Sequence, residues 1–490
     1  MKLIAQSTLP HLTRKDTIAV FLCEDFPKNG NAIPEPLSFI KEKANLSFFK
    51  GKPGETLFIP FGEHPAVIVS GAGKKDDLTK ETLRNSAAAV SEICRKKKIS
   101  AIHAIVPEYE NISSEETARA LGEGIYLSNY VFNRYKSKND DQVNPLERAI
   151  LSTPAAGKIS KMLEEIEILC ENTLLCRDLI NEISDVTNPV AVAKEAKKLA
   201  KLRGVTCTVY GKKEIEKMKM GLLLAVSRGS IYPPQLVVLK YAGNPSSKKS
   251  VAIIGKGITF DSGGINLKPS GHIEDMRSDM SGAAACLYTI KAAAELKLKK
   301  NIYAVLPLCE NMVGKTAYRP GDVHIAYNGT SVEIGNTDAE GRLILADALA
   351  FAEDRLKPSY MIDIATLTGA CLVCFGEIIA GLLTESDEIA GALFNAGETT
   401  GDRLWRLPMY REYADDIKSD IADINNVSSG RNAGTIMGAT FLKNFVKKTP
   451  WAHIDIAGTS WYSKQRGYRP KYATGFGVRL FIEAIKNITE

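Results

Sequence analysis

Runs of apolar residues that alternate with helical patterns are the feature that most constrains the fold of this chain. In the larger, second part the strand-like runs are apolar throughout, and Ala-rich helical patterns separate them; the runs read QLVVLKYAG, SVAIIGKGITF, NIYAVLPL, MIDIATL and AHIDIAG. A strand without a polar face is buried on both sides, which is typical of parallel sheets covered by helices. The pattern predicts an α/β fold with a mixed, mainly parallel sheet.

The same alternation on a smaller scale occupies the first part of the chain and predicts a separate domain. Its strand-like runs read TIAVFL, TLFIPF, AVIVSG and SAIHAIV, and a capping box, Ser113-x-x-Glu116, begins the clearest helix. A long helical pattern then covers 158–183. We predict a smaller N-terminal α/β domain over 1–157, a connecting helix over 158–183 and a larger C-terminal α/β domain over 184–490.

Composition and charge are those of an ordinary globular protein. The 490 residues are 44% hydrophobic and 24% charged, and the net charge of +6 does not by itself indicate nucleic acid or membrane as a partner. The most apolar window, 361–383, contains Asp363 and Glu377, which favours buried core over a membrane span. Pro10 and the charged residues 14–16 interrupt any signal-peptide core, and the nine scattered cysteines are typical of free thiols. We therefore predict a cytoplasmic protein.

Four acids of the second domain lie where an apolar strand stops or a helix begins. They are Asp261 in GKGITFDSGG, Asp279 in MRSDMSG, and Asp338 and Glu340 in NTDAEGRL. Ligands of open α/β sheets bind beyond the carboxyl ends of the strands, so these acids stand where a site is expected. Asp338 and Glu340 converge on one point only if 336–340 is extended or looped, because they would diverge on a helix.

Crowded carboxylates at one place predict a metal site. Without a counter-charge they would raise one another's pKa values and destabilise the fold. Four negative charges balance two divalent ions, which favours a binuclear site, and the scarcity of histidine, six in the chain, indicates mostly oxygen ligands. Zn²⁺, Mn²⁺, Mg²⁺ or Co²⁺ would suit such ligands. Lys256 and Lys268 lie in the same stretch. A lysine beside a metal acts either as a neutral ligand with a lowered pKa or as a cation that faces the substrate, and both roles are open for each of them.

These strings together resemble one known family. VAIIGKGITFDSGGINLKPS, followed in order by DMSGAAA, ENM, YRPGDV, NTDAEGRL and ATLTGA, resembles the leucyl aminopeptidase (cytosol aminopeptidase) family over about residues 185–480. The resemblance implies that two metal ions, commonly zinc with one site exchangeable for manganese, cobalt or magnesium, are held by Lys256, Asp261, Asp279, Asp338 and Glu340. The backbone carbonyl of Asp338 would be a further ligand.

The resemblance also implies an activity, which is the release of N-terminal amino acids from peptides by two-metal-assisted hydrolysis. Lys268 and Arg342 would be the catalytic pair, and the arginine would bind a bicarbonate ion that shuttles the proton. An apolar S1 pocket, which favours leucine-like side chains with broad specificity, would be lined by residues of 432–439 and by Met276, Thr366 and Gly369. Family members form hexamers as dimers of trimers, and we expect the same assembly here.

Two alternatives rest on shorter strings. FDSGG resembles the surroundings of a trypsin-like serine nucleophile, but that chemistry belongs to an all-β fold, so Ser262 is better interpreted as a turn residue beside two glycines. RKKK at 95–98 is most simply a solvated helix terminus. Because some bacterial members of the family bind DNA, a primarily DNA-binding architectural or regulatory role, dependent on Lys96 to Lys98, is the alternative function.

Overall fold

The computed structural model describes residues 1–9, 12–25, 48–60, 62–137, 145–430 and 432–488. They form two compact units, one of Met1–Leu174 with Ser463–Lys471 and the other of Leu175–Tyr462 with Tyr472–Glu490. We refer to these as the N-terminal and C-terminal units. Each unit has a sheet flanked by helices, so the predicted two-domain α/β fold is confirmed. The exact boundaries at 157 and 183 stay a prediction.

The N-terminal unit has a six-stranded sheet in the order β1-β6-β5-β2-β4-β3, parallel except for the β3–β4 pair. Its described elements are β1 Lys2–Gln6, β2 Thr17–Cys23, β3 Thr56–Ile59, β4 Ala66–Gly73, α1 Lys80–Lys96, β5 Ala101–Ile105, α2 Ser114–Ser128 and β6 Arg148–Ser152, together with the part of α3 Ala156–Asn181 up to Leu174. The predicted capping box is present, because the Ser113 hydroxyl accepts a hydrogen bond from the Glu116 N–H and the Glu116 carboxylate accepts one from the Ser113 N–H. The long helix predicted over 158–183 is α3.

The C-terminal unit is built on a nine-stranded sheet in the order β16-β15-β18-β14-β9-β11-β8-β7, with β10 paired to β11. Smaller sheets are formed by β12-β13-β17 and by β19-β20. The described strands are β7 Val205–Tyr210, β8 Gln235–Ala242, β9 Val251–Gly255, β10 Gly257–Asp261, β11 Asn301–Asn311, β12 Val323–Ile325, β13 Ser331–Glu333, β14 Tyr360–Ala365, β15 Ala380–Thr384, β16 Leu404–Leu407, β17 Ile424–Asn425, β18 Trp451–Asp455, β19 Trp461–Tyr462 and β20 Tyr472–Ala473. The large sheet is mixed, as predicted, with antiparallel pairs at β7–β8, β8–β11 and β15–β18.

Helices cover this sheet and bury its apolar strands. The described helices are α4 Pro189–Lys198, α5 Lys212–Lys217, α6 Gly221–Ser227, α7 Ser281–Glu295, α8 Glu340–Phe351, α9 Gly369–Phe375, α10 Asp387–Thr400, α11 Gly434–Lys443 and α12 Val478–Asn487. Every residue of α8 is buried. Its one central acid, Asp347, accepts hydrogen bonds from the backbone N–H groups of Leu222, Leu223 and Tyr327, which explains how a carboxylate is tolerated there.

Four neighbouring parallel strands end on the same side of the sheet. β9 pairs in parallel with both β11 and β14, and β10 pairs in parallel with β11. Their carboxyl ends therefore present Lys256, Asp261, Asn311 and Thr366 close to one another. This edge is the place where the sequence predicted a site.

Two sequence signals outside that edge are also accounted for. Asn328-Gly329, a dipeptide typical of tight hairpin turns, lies in the connection between the antiparallel strands β12 and β13, with Gly329 at a φ of +92°. The apolar window 361–383 is divided among β14, α9 and β15. Among the helices that the described ranges contain, none is long and apolar enough to cross a membrane.

A buried ion pair lies between two neighbouring strands of the large sheet. Asp363 on β14 faces His453 on β18, with 2.6 Å between the carboxylate Oδ1 and the imidazole Nδ1, and both side chains are 0% exposed. The indole N–H of Trp451 donates to the other carboxylate oxygen at 2.7 Å. Burial lowers the pKa of His453, but the charge of Asp363 and the hydrogen bond to it outweigh burial, so the pKa is raised.

The raised pKa of His453 makes this pair a pH-dependent source of stability. Its contribution is fully present below the pKa of an unfolded histidine, about 6.5, and is lost as the pH rises through the higher pKa of the folded state. We expect His453→Gln and Asp363→Asn to lower the melting temperature most in weakly acidic buffer and progressively less toward alkaline pH. Thermal unfolding of both variants and the parent protein, from weakly acidic to alkaline pH, measures this difference in melting temperature. A difference that grows with pH would contradict the assignment.

Candidate metal centre and active site

Lys256, which directly follows β9, lies at the centre of the acid cluster. Its ammonium Nζ is 2.8 Å from Asp279 Oδ1 and 2.8 Å from Glu340 Oε1, and it donates to the Thr366 carbonyl at 2.8 Å. Only 4% of its side chain is exposed. A single lysine thus joins three segments that are far apart in sequence.

Lys268 pairs with the other two acids. Its Nζ is 2.9 Å from Asp261 Oδ2 and 2.7 Å from Asp338 Oδ1, and 16% of its side chain is exposed. One carboxylate oxygen each of Asp261, Asp338 and Glu340 can be chosen such that all three atoms lie within 4.8 Å of one another. The four acids and two lysines singled out in the sequence are therefore brought together.

The segment 336–339 is looped, as the convergence of Asp338 and Glu340 requires, and Glu340 is the first residue of α8. The loop is tied to the turn after β10 by Thr337, whose hydroxyl donates to the Gly263 carbonyl at 2.7 Å. The carbonyl of Thr337 accepts from Asn311 Nδ2 at 2.9 Å and from the Tyr318 hydroxyl at 2.7 Å. These contacts fix where Asp338 stands relative to Asp261.

Crowding and burial shift the pKa values of the acids. Burial, together with the charge of Glu340, raises the pKa of Asp261 to about 7. Burial likewise raises the pKa of Asp279 well above its usual range against the opposing charge of Lys256. Glu340 is buried too, but the charges of Lys256 and Lys268 hold its pKa low. The acids are thus poised to bind a cation that would favour their ionised forms.

Unpartnered oxygens show that the cluster fits divalent ions. Asp279 Oδ2 and Glu340 Oε2 are buried and have no hydrogen-bond partner among the described residues, although each partner oxygen is paired with Lys256. A buried carboxylate oxygen without a donor is costly, and a metal ion would relieve that cost. Carboxylate oxygens are also the donors that Mg²⁺ and Mn²⁺ prefer and that Zn²⁺ accepts. The residues present therefore fit a divalent metal.

Arg342 lies on α8, two residues after Glu340. Its Nη1 donates to the Asn426 carbonyl at 2.8 Å, and its Nε is buried without a hydrogen-bond partner in the described part of the chain. Burial lowers the pKa of Arg342 to about 10, which leaves it a cation at neutral pH. It lies near the carboxylate of Glu340, and its Nε–H can donate a hydrogen bond to an anion.

The three residues predicted for the S1 pocket lie in segments that adjoin the cluster. Met276 begins the 3₁₀ turn Met276–Met280 that carries Asp279, and Gly369 begins α9. Thr366 has a more direct contact, because its hydroxyl donates to Asp279 Oδ1 at 2.7 Å. The stretch 432–439 contains the start of α11, whose Thr435 hydroxyl is 3.0 Å from that of Thr368.

Ser262 is a turn residue, as interpreted from the sequence. Its hydroxyl donates to the Asn311 carbonyl at 2.8 Å and accepts from the Gly264 N–H at 3.2 Å. Gly263 and Gly264 have φ angles of +88° and +65°, which favour glycine. The serine hydroxyl is thus committed to shaping the loop after Asp261.

Two residues that support the cluster were not identified from the sequence. Asn311 donates to Asp261 Oδ1 at 2.8 Å, and Asn426 contacts the loop before Glu340. The only available signal was position, because Asn311 ends β11 and Asn426 follows β17 directly. Such asparagines are also common turn residues.

Gly341 is required by the packing of Lys256. A Cβ atom at this position would lie 2.4 Å from Lys256 Cε and 2.7 Å from its Nζ. The lysine cannot yield, because its ammonium is held by Asp279, Glu340 and the Thr366 carbonyl.

We therefore expect Gly341→Ala to displace Lys256 and to lower kcat/KM by about 100-fold, the scale of loss that a 1 Å misplacement can cause. Steady-state kinetics and metal content of the purified protein measure this. Gly391→Ala is the matched control, because Gly391 is also helical and a Cβ there meets nothing within 4 Å. Equal activity of the two variants would contradict the role given to Gly341.

Comparison with known proteins places this geometry in a family. The profile of the cytosol aminopeptidase family, catalytic domain, matches residues 174–482, and that of the family's N-terminal domain matches residues 30–139. A probable cytosol aminopeptidase of Protochlamydia amoebophila is 45% identical over 451 residues, which is 91% of this chain and 90% of the relative. One of Brucella melitensis is 42% identical over 91% of this chain and 92% of the relative.

Solved structures agree. The bottromycin maturation enzyme BotP in complex with Mn superposes with a TM-score of 0.87 at 33% identity, covering 97% of this chain and 100% of that protein. BotP in a second structure gives a TM-score of 0.85 at 32% identity, covering 96% and 98%. With the profile match over most of the chain, these likenesses show that this chain belongs to the cytosol aminopeptidase family and is a metal-dependent aminopeptidase that acts on peptides.

Proposed function

We propose that this aminopeptidase works with two divalent ions held in the acid cluster and removes leucine-like residues, with broad specificity, from the N-terminus of peptides. The observation that carries the proposal is the convergence of four carboxylates, two of them with unpartnered buried oxygens, at the carboxyl ends of β9, β10 and β14. The proposed ligands are Lys256, Asp261, Asp279, Asp338, including its backbone carbonyl, and Glu340. Zinc or manganese are the proposed ions, with magnesium or cobalt as substitutes, and the Mn bound by the similar BotP supports manganese.

When bound, such ions supply Lewis acidity and favour the ionised form of water at neutral pH. The chain's own residues bind and orient the peptide beside them. Lys268 is proposed to hold the oxygen of the scissile carbonyl, because it is the more exposed of the two lysines, 16% against 4% for Lys256. A fixed ammonium aimed at that oxygen stabilises the negative charge that develops on it during hydrolysis.

Arg342 is proposed to hold an anion, bicarbonate, that moves the proton. A guanidinium cannot act as a base at neutral pH, so Arg342 can only position the group that does. Its buried and unpartnered Nε supports this, because that N–H remains available to an anionic ligand. Bicarbonate has both the oxygens to accept these donors and the capacity to accept a proton.

The S1 pocket is proposed to be lined by Met276, Thr366 and Gly369 with residues of 432–439. Helix α11 packs closely on the segment after β14, since a Cβ on Gly438 would lie 2.9 Å from Leu367 Cδ2. Apolar contacts discriminate side chains weakly, by roughly 1 to 3 kcal/mol per methylene, which supports broad specificity.

We also propose that the protein is cytoplasmic and assembles as a hexamer, a dimer of trimers, with the C-terminal domain over 184–490 catalytic. A primarily DNA-binding role is less well supported, because Arg95, Lys96 and Lys97 have partners within the N-terminal unit. Arg95 donates to the Ser128 carbonyl, Lys96 pairs with Glu92 at 2.7 Å, and Lys97 Nζ lies 5.1 Å from the Phe58 ring centroid. No comparison supports DNA binding as the function.

The requirement for a free N-terminus is tested with leucine p-nitroanilide beside its N-acetylated form. We expect cleavage of the free amine only, because the α-amino group is what the metal-bearing cluster must accept. Activity should vanish after dialysis against a chelator and return with added Mn²⁺ or Zn²⁺. Equal cleavage of both substrates, or indifference to the chelator, would overturn the proposal.

The ligand assignment is tested with Asp338→Asn and Glu340→Gln, each of which removes one negative charge from the cluster. We expect both to lose metal affinity by more than the roughly 10- to 100-fold that loss of an outer-shell partner costs, and to lose activity with it. Elemental analysis and kinetics measure the two effects. Asp354→Asn, an exposed acid beyond the end of α8, is the control and should behave as the parent protein. Full activity of Glu340→Gln would refute the assignment.

A further inference from the structure

The carboxamide of Asn426 holds the loop from which Asp338 projects. Asn426 directly follows β17 and is 0% exposed. Its Oδ1 accepts from the N–H groups of Gly335 and Asn336 at 2.8 and 3.2 Å, and its Nδ2 donates to the carbonyls of Asn336 and Ala339 at 2.7 and 3.4 Å. One side chain therefore spans the loop from its first residue to the residue before Glu340.

The backbone of Asn426 connects the same loop to Arg342 and to the small sheet. Its carbonyl accepts from Arg342 Nη1 at 2.8 Å, and its N–H donates to the Glu333 carbonyl at 2.9 Å, which continues the pairing of β13 with β17. Any shift of Asn426 thus moves both the loop and the arginine. In the described part of the chain, Asn426 has no hydrogen bond to a carboxylate of the cluster, and it contacts Arg342 only through its backbone carbonyl, so its action on the metal ligands is indirect.

We propose that Asn426 is a positioning residue that sets the affinity of the cluster for divalent ions. It does so by holding Asp338 and Glu340 in place relative to Arg342. This inference rests on the proposed function of the cluster. The carboxamide supplies donors and acceptors at once, which is what a loop with both free N–H and free C=O groups needs. Residues that hold the metal ligands without binding the metal themselves orient those ligands, and their loss typically costs about 10- to 100-fold in metal affinity.

The chain contains a matched control for such a carboxamide. Asn301, at the start of β11, donates through Nδ2 to the carbonyls of Asn244, Ser247 and Lys249 and accepts the Asn244 N–H. It too spans a loop with one side chain. It lies at the end of β11 opposite to Asn311, roughly 30 Å from the cluster at about 3.3 Å per strand residue. Its loss should cost stability without changing the metal site.

The experiment compares Asn426→Ala, Asn301→Ala and the parent protein after removal of metal. Mn²⁺ and Zn²⁺ affinities are measured by isothermal titration and by competition with a chelator, and melting temperatures are measured in the metal-free state. We expect both variants to melt at lower temperature, but only Asn426→Ala to lose about 10- to 100-fold in metal affinity. Raising Mn²⁺ should restore part of its kcat/KM.

Asn426→Asp is a second variant that keeps the side-chain volume and the acceptor oxygen. It replaces the Nδ2 donor by an oxygen opposite the Asn336 carbonyl, so we expect a folded protein with an equal or greater loss of metal affinity. Metal affinity within twofold of the parent in Asn426→Ala or Asn426→Asp, an equal loss in Asn301→Ala, or variants that do not fold would overturn the inference. Failure of the parent protein itself to bind metal would instead overturn the proposed function.

Discussion

The whole C-terminal unit depends on holding four carboxylates together at the end of its sheet. Like charges in a buried place repel each other and lose hydration, so such a cluster exists only where the surrounding fold is rigid enough to impose it. The parallel strands β9, β10, β11 and β14 supply that rigidity, because their carboxyl ends lie side by side. Helix α8, buried along its full length, brings Glu340 to the same place.

The two lysines divide the cluster into an inner and an outer half. Lys256 is held by Asp279, Glu340 and a backbone carbonyl in a closed environment, whereas Lys268 pairs with Asp261 and Asp338, the latter with 33% of its side chain exposed. With both lysines charged, the four ionised acids retain a net charge of two negatives; with Lys256 neutral, as its proposed role as a metal ligand requires, the net charge is three negatives. The cluster is therefore still negatively charged, and able to bind cations, after the charges of its lysines are counted. A count of the four carboxylates alone does not include these lysines.

Much of this architecture could be predicted from the sequence, because it depends on short-range patterns. Apolar runs predicted several strands of each large sheet, although not β1, β6, β15 or β16, and Ser113-x-x-Glu116 predicted a helix start, since periodicity and capping are local properties. The convergence of Asp338 and Glu340 could also be predicted as a loop, since side-chain direction follows from backbone conformation. Thr366 shows the limit of this approach. It was predicted as a lining residue of the S1 pocket, and its hydrogen bond to Asp279 depends on contacts across 87 residues.

Asn311 and Asn426 could not be predicted for a further physical reason. An acidic cluster needs supports that donate hydrogen bonds without adding charge, and a carboxamide does both. Asn311 Nδ2 donates at once to the carboxylate of Asp261 and to the carbonyl of Thr337, so it links an acid to the loop that carries another acid. An aspartate there would place a fifth carboxylate against Asp261, and a lysine would compete with any bound cation. A neutral donor such as asparagine avoids both problems, because it neither repels the carboxylates nor competes with a metal ion. In a sequence they are indistinguishable from the asparagines that end ordinary strands, because only the folded chain decides which carbonyl and carboxylate lie within their reach.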